Sequence, residues 1–144
     1  MIIKVESAQL PETEVIIRGD VTGEEVLSLL QLLKRRSSGK LLLYREDTQY
    51  LIDAGELVFL EVREGRTLAY TARETYEVKM KLYELKETLT AHSFVQINKS
   101  VLVNMNFVRS IQAEFSGNYR LRLKNRGEVL TISRKYFKDF KERI

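Results

Sequence analysis

The sequence predicts an α+β fold, mainly antiparallel β with short helices, preceded by a small N-terminal β-β-α extension. Three observations carry this. Residues 40–78 break into short β-rich runs separated by turn-forming residues. Residues 119–124 alternate apolar and basic side chains with period two. Three further stretches place apolar residues on one helical face.

The opening residues alternate weakly, with Ile3 and Val5 and then Val15 and Ile17, which predicts two short strands divided by a Leu10-Pro11 turn. A helix follows. Thr22 and Glu25 have capping-box spacing, Val26, Leu29, Leu30 and Leu33 share a face, Lys34–Arg36 suit its C-terminal dipole, and Ser37-Ser38-Gly39 ends it. The β-rich runs are Leu41–Tyr44, Tyr50–Ile52, Leu57–Val62, Thr67–Thr71 and Thr75–Val78, read together as an antiparallel meander. Val78, Leu82, Leu85 and Leu89 then form a helical stripe, with Glu77, Lys81 and Glu84 on its solvated side. Phe94, Val95 and Ile97 predict a strand, Asn104 and Asn106 interrupt the next apolar run as turn formers, and Phe107–Ala113 predicts another strand. After a Ser116-Gly117-Asn118 turn, Tyr119, Leu121 and Leu123 face one way and Arg120, Arg122 and Lys124 the other. Asn125-Arg126-Gly127 turns the chain into Val129–Ile132. Ser133 can cap a last helix burying Phe137 and Phe140, with Ile144 a further candidate and Lys135, Lys138 and Lys141 outside.

Composition narrows the function. In 144 residues with 44% hydrophobic and 31% charged side chains and one Pro, there is material for about one globular domain with its own core. No stretch approaches the ~18 apolar residues of a membrane span and the start lacks a signal-peptide layout, so the protein is read as cytoplasmic. The absence of Cys agrees with a reducing compartment and removes thiol catalysis, zinc-thiolate sites and iron-sulfur clusters. The net charge of +4 is unevenly spread, with balances of 0 over residues 1–40, −3 over 41–90 and +7 over 91–144. A C-terminal third that basic suggests a polyanion-binding surface, although a solvated face rich in Lys and Arg would look the same.

Catalytic chemistry is poorly represented. The lone His92 stands beside Ser93 with no third group to make a triad. Neither phosphate-binding glycine motif occurs, and the acidic pairs Glu12/Glu14, Glu24/Glu25 and Glu46/Asp47 lack metal-ligand partners. No enzyme, metal or cofactor is expected.

What does recur is polar and basic residues at turns: Arg63, Glu64, Gly65 and Arg66; Asn98, Lys99 and Ser100; Ser133, Arg134 and Lys135. Arg suits guanine O6 and N7 by two parallel hydrogen bonds, while Lys, Ser and helix N-terminal amides suit phosphates. Loops are polar in any case, so spacing alone does not decide.

The segment FVQINKSVLVNMNFVRSI resembles the central signature of the LytTR family of bacterial DNA-binding domains, in which a polar or basic pair runs into a Ser-x-x-Val-Asn element. NYRLRLKNRGEVLTISRKYFKDFKE is similar to that family's closing hairpin and its Ile-Ser-Arg-x-Tyr helix start, and GELVFLEVREGRTLAYTARETYEVKMKLYELKETL to its opening strands and helix. The resemblance covers residues 42–143 with three motifs in order.

It implies an elongated β fold that binds duplex DNA through loops in successive grooves rather than through a recognition helix. By motif position, Arg66 or Thr67 falls in the first base-contacting loop, with Arg63 a further choice. Lys99 falls at the middle contact and Arg134 at the last. Asn98, Ser100, Ser133, Lys135 and Lys138 would hold backbone phosphates, while Val101, Val103, Phe107 and Ile111 pack the core. This places a LytTR-type DNA-binding domain at 41–144 after an extension at 1–40. Roughly 40 preceding residues are too few for a receiver domain, so phosphorelay control is not expected and the chain resembles a stand-alone regulator. Such regulators often have a small membrane protein as a restraining partner. The extension could be a dimerisation surface, the contact for that partner, or extra core. The implied function is a sequence-specific transcriptional regulator bound as a homodimer to paired short repeats. The alternative is a protein-interaction module whose basic third docks an acidic partner. RNA binding fits less well, because the aromatic-rich strands that stack unpaired bases are missing.

Overall fold

The computed structural model describes residues 1–10, 13–37 and 39–144, without the side chains of residues 34–37. The turn expected around Pro11, the stop expected around Ser38 and the charges of the Lys34–Arg36 triplet therefore fall outside the described residues. The chain divides into two units, Met1–Lys34 and Arg35–Ile144. No described helix is long and apolar enough to cross a membrane.

In the N-terminal unit the two expected strands do not form: residues 1–10 and 13–18 are irregular, and Ile3, Val5 and Val15 are exposed. The reason lies in the pattern. Ile2 beside Ile3, and Ile16 between Val15 and Ile17, give both faces an apolar side chain, and an isolated two-stranded hairpin is marginal in water. Helix α1 (Glu24–Ser37) does form. Its start differs in detail, since the Thr22 hydroxyl donates to the Asp20 carboxylate at 2.8 Å, which makes a local turn instead of a capping box with Glu25.

The larger unit runs β1 (Lys40–Arg45), β2 (Thr48–Asp53), β3 (Leu57–Arg63), β4 (Arg66–Thr71), β5 (Thr75–Val78), α2 (Leu82–Leu89), β6 (Phe94–Asn98), β7 (Val101–Asn104), β8 (Val108–Ala113), β9 (Tyr119–Leu123), β10 (Val129–Ile132) and α3 (Arg134–Glu142). Seven strands form one antiparallel sheet in the order β2-β1-β5-β4-β3-β7-β6, and three form a second, β10-β9-β8. The meander is therefore confined to β3-β4-β5; β1 returns to pair with β5 through Tyr44 and Glu77, and β3 pairs with β7.

Alternation along the central strands sends side chains to two cores. Leu60, Ala69, Tyr76, Val78 and Leu102 pack with Leu85 and Leu89 of α2. Phe59, Tyr70, Val101 and Val103 pack with Leu121, Leu123, Leu130, Ile132 and Phe140, so the second sheet and α3 cover the opposite side. Full burial of Phe140 contributes about 1.5–3 kcal/mol toward fixing α3, and Tyr119 stacks on Phe137 with ring centroids 3.6 Å apart.

The structure departs from the sequence expectation at three places. Val78 and Glu77 belong to β5, where Val78 lies opposite Thr67, so the helical stripe starts only at Leu82. Ile111 is 37% exposed because β8 is an edge strand, and Ile144 is exposed beyond the last turn of α3. Val101 and Val103 are core as expected, and Phe107 packs partly buried against it.

Candidate nucleic-acid interface

Each polar turn singled out in the sequence ends a pair of strands or starts a helix. The β3–β4 hairpin closes through Glu64 and Gly65, whose φ values of 53° and 76° are the left-handed pair a two-residue hairpin turn requires. Arg63 and Arg66 face each other across it. Asn98 pairs with Val101, leaving Lys99 and Ser100 as the β6–β7 turn. Ser133 is the N-cap position of α3, which begins at Arg134.

Hydrogen bonds tie these turns into one edge. The Val62 amide donates to the Ser100 carbonyl at 2.8 Å, joining the first turn to the second. The Asn98 side-chain amide donates to the Thr131 carbonyl at 2.8 Å, and the Ser133 amide donates to the Ile97 carbonyl at 2.8 Å, joining the second to the third. Finally, the Arg134 amide donates to the Asn118 side chain at 3.1 Å, which adds the β8–β9 turn. Four turns far apart in sequence thus occupy one continuous margin of the domain.

Charge on that margin is of two kinds. Lys99, Arg134, Lys135 and Lys138 are exposed, and among the described residues none has an ion-pair partner. Arg134 and Lys138 are one helical turn apart and so share a face. The first turn differs, because Arg63 pairs with Glu61 at 3.2 Å and Arg66 meets both oxygens of Glu77, at 3.3 and 2.6 Å. The hydrogen bond to Glu77 raises the pKa of Arg66, and the same bond holds the Glu77 carboxyl below its ordinary range. Thr67 is half-buried and, by strand alternation, shares the side of the sheet with Ala69, away from Arg66 and Leu68.

Asn98 is committed within the protein: besides donating to Thr131, its side-chain oxygen accepts from the Ser100 amide at 2.8 Å. Ser100 and Ser133 are half-buried, with the backbone bonds just described. Sequence reasoning missed Gly117, Asn118 and Glu77. In the sequence Asn118 is only a turn former, yet its side chain accepts from the first amide of α3. Gly117, at φ 90°, leaves room for the Arg134 side chain, whose Cδ would lie 3.1 Å from a Cβ there. The helical stripe places Glu77 on a helix face, whereas in β5 it approaches Arg66 across the strands.

Comparison with known proteins bears on this arrangement. The family model described as the LytTr DNA-binding domain matches residues 47–144. The sensory transduction protein LytT of Bacillus anthracis is 31% identical over 103 residues, 72% of this chain; the match spans 42% of that protein's length. An HTH-type transcriptional regulator of Staphylococcus aureus, otherwise uncharacterised, is 26% identical over 139 residues, 96% of this chain and 93% of that protein. Among solved structures, the LytTr DNA-binding domain of a Bacillus cereus response regulator superposes with a TM-score of 0.68 at 23% identity, covering 73% of this chain and 95% of that one, a likeness of fold. The name of the Staphylococcus relative specifies a helix-turn-helix, yet among the described residues strands separate α1, α2 and α3 from one another.

Proposed function

The chain belongs to the LytTR family of DNA-binding domains, and on that premise we propose that it is a transcriptional regulator that reads duplex DNA with the edge formed by its three basic turns. One observation carries the reading: the hydrogen-bonded chain from Val62 through Ser100, Asn98 and Ser133 to Arg134 sets residues from three separate motifs along a single margin. A rigid row of turns can enter successive grooves from one side of a duplex without a recognition helix.

In this reading Arg134, without a carboxylate partner among the described residues, makes the last base contact, Lys99 the middle one and Arg66 the first, after exchanging Glu77 for a base edge. Arg63 and Thr67 flank that first contact. Lys135 and Lys138 hold phosphates, as do Ser100 and Ser133 through the groups their backbone bonds leave over. Asn98 positions the middle turn instead of reaching the duplex. Two copies bind side by side on paired short repeats. The N-terminal unit, with Ile3, Val15, Ile16, Leu27 and Leu32 exposed, supplies apolar contact area for the second copy; a small membrane protein that restrains the regulator would compete for those same side chains.

Selection from a random duplex pool, followed by titration of the enriched duplex at several salt concentrations, tests the proposal. A repeated short motif is expected, bound with a steep salt slope from several released counterions. Recovery of no motif, together with weak salt dependence, would favour docking of an acidic protein on the basic third and overturn the reading.

A further inference from the structure

Phe115 is the most exposed large apolar side chain of residues 35–144, at 113% of its reference accessibility. It occupies the tip of the β8–β9 turn, a position where small or polar residues serve the backbone better. The turn itself is well held. The Glu114 amide donates to the Asn118 carbonyl at 2.9 Å, the Gly117 amide to the Glu114 carbonyl at 3.1 Å, and the Asn118 amide to the Ser116 hydroxyl at 3.3 Å. The ring therefore stands on a braced support, not on a loose loop.

The same turn holds Arg134. Asn118 accepts from the Arg134 amide, and the Arg134 side chain lies across Gly117. Phe115 thus lies in the turn that packs against Arg134 at the start of α3, at the end of the candidate DNA edge. Glu114, the nearest acidic residue in sequence, is engaged with Arg120 at 3.8 Å. An aromatic ring gains nothing from a phosphate, and on a groove floor the apolar group that distinguishes one base from the others is the thymine C5 methyl.

We propose that Phe115 is an apolar base contact, packing its ring on a thymine methyl in the major groove next to the base pair that Arg134 reads. This rests on the DNA-reading edge proposed above and adds to it a base preference that no charged residue of the edge supplies.

The test uses the full chain and the duplex enriched by selection, in which each thymine is replaced singly by deoxyuridine, which lacks only the methyl. Wild-type protein is expected to lose about three- to tenfold in affinity at one thymine near the Arg134 base. Phe115→Ala should show that same loss on the unmodified duplex and no further loss with deoxyuridine, and Phe115→Leu should fall between. Thermal unfolding of both variants should match wild type, because the ring has little contact to lose. A Phe115→Ala variant weaker than wild type by the same factor on the deoxyuridine duplex as on the thymine duplex would overturn the methyl contact in favour of a wedge between base steps. An unchanged affinity with a shift in sedimentation would overturn it in favour of a contact between two copies. Failure of the underlying reading is separate and visible first, as wild-type protein that enriches no duplex at all.

Discussion

Replacing Asn98 with Ala separates a positioning role from a phosphate contact. The substitution removes two hydrogen bonds, from the Ser100 amide and to the Thr131 carbonyl, both 2.8 Å long, the first part-buried and the second exposed. At a net ~0.5–1.5 kcal/mol each, the variant should lose about 1–3 kcal/mol of folding stability. Because those bonds hold the Lys99 turn against the strand leading to Arg134, affinity for the selected duplex should fall about tenfold, equivalent to 1.4 kcal/mol. Affinity for random duplex and the salt slope should stay near wild type, since no charge is removed. Urea unfolding and duplex titration on the same preparation supply both numbers. Unchanged stability with equal losses on selected and random duplex would refute the reasoning and return Asn98 to the phosphate contact that its sequence motif implied.

Other expectations follow from the same edge. Arg134→Ala should relax base preference at a cost of about 1–3 kcal/mol, whereas Lys138→Ala should weaken all duplexes alike and flatten the salt slope by about one unit, both read by titration across salt. Glu77→Gln should release Arg66 and raise random-duplex affinity, with a salt slope steeper by about one unit. The same release should occur as pH falls, because the lowered pKa of Glu77 keeps its charge, and the pair, at neutral pH and surrenders both only below the ordinary Glu range; an unaltered slope for the Gln variant would show that the pair does not restrain Arg66. Asn104→Ala should cost about 2–4 kcal/mol in urea unfolding, because it strips the Leu57 carbonyl of its buried partner at 2.9 Å and frees the Asn106 amide.

Much of the larger unit could be read from its residues because local pattern and final environment agree there. Tyr119–Leu123 alternates cleanly, and its apolar members Leu121 and Leu123 are buried while Arg120 and Arg122 are exposed. The β-rich run Thr75–Val78 matches β5 to the residue, yet Val78 also fits a helical stripe, since four-residue spacing to Leu82 suits either state. Only the pairing of β5 with β4 and β1 settles it, and that pairing is not written locally. The N-terminal strands failed for the opposite reason: single apolar residues suggested alternation where neighbouring isoleucines cancelled it.

The three polar turns were visible as residue types, but their joining was not. Asn98 and Asn118 look like ordinary turn residues until the chain brings Thr131 and Arg134 beside them, across 33 and 16 residues. Arg66 likewise looks like a free cation until β5 delivers Glu77. Side-chain amides and carboxylates recruited across strands leave no periodic trace, so the motif located the edge without revealing which of its members are occupied within the protein.

In the proposed binding mode one edge, built from three turns, meets one side of a duplex in successive grooves. Hydroxyl-radical footprinting of the selected duplex tests it most directly. Protected sugars should cluster on a single side of the helix and recur at intervals of about 10 base pairs. Protection distributed around the whole circumference, or confined to one groove, would contradict it.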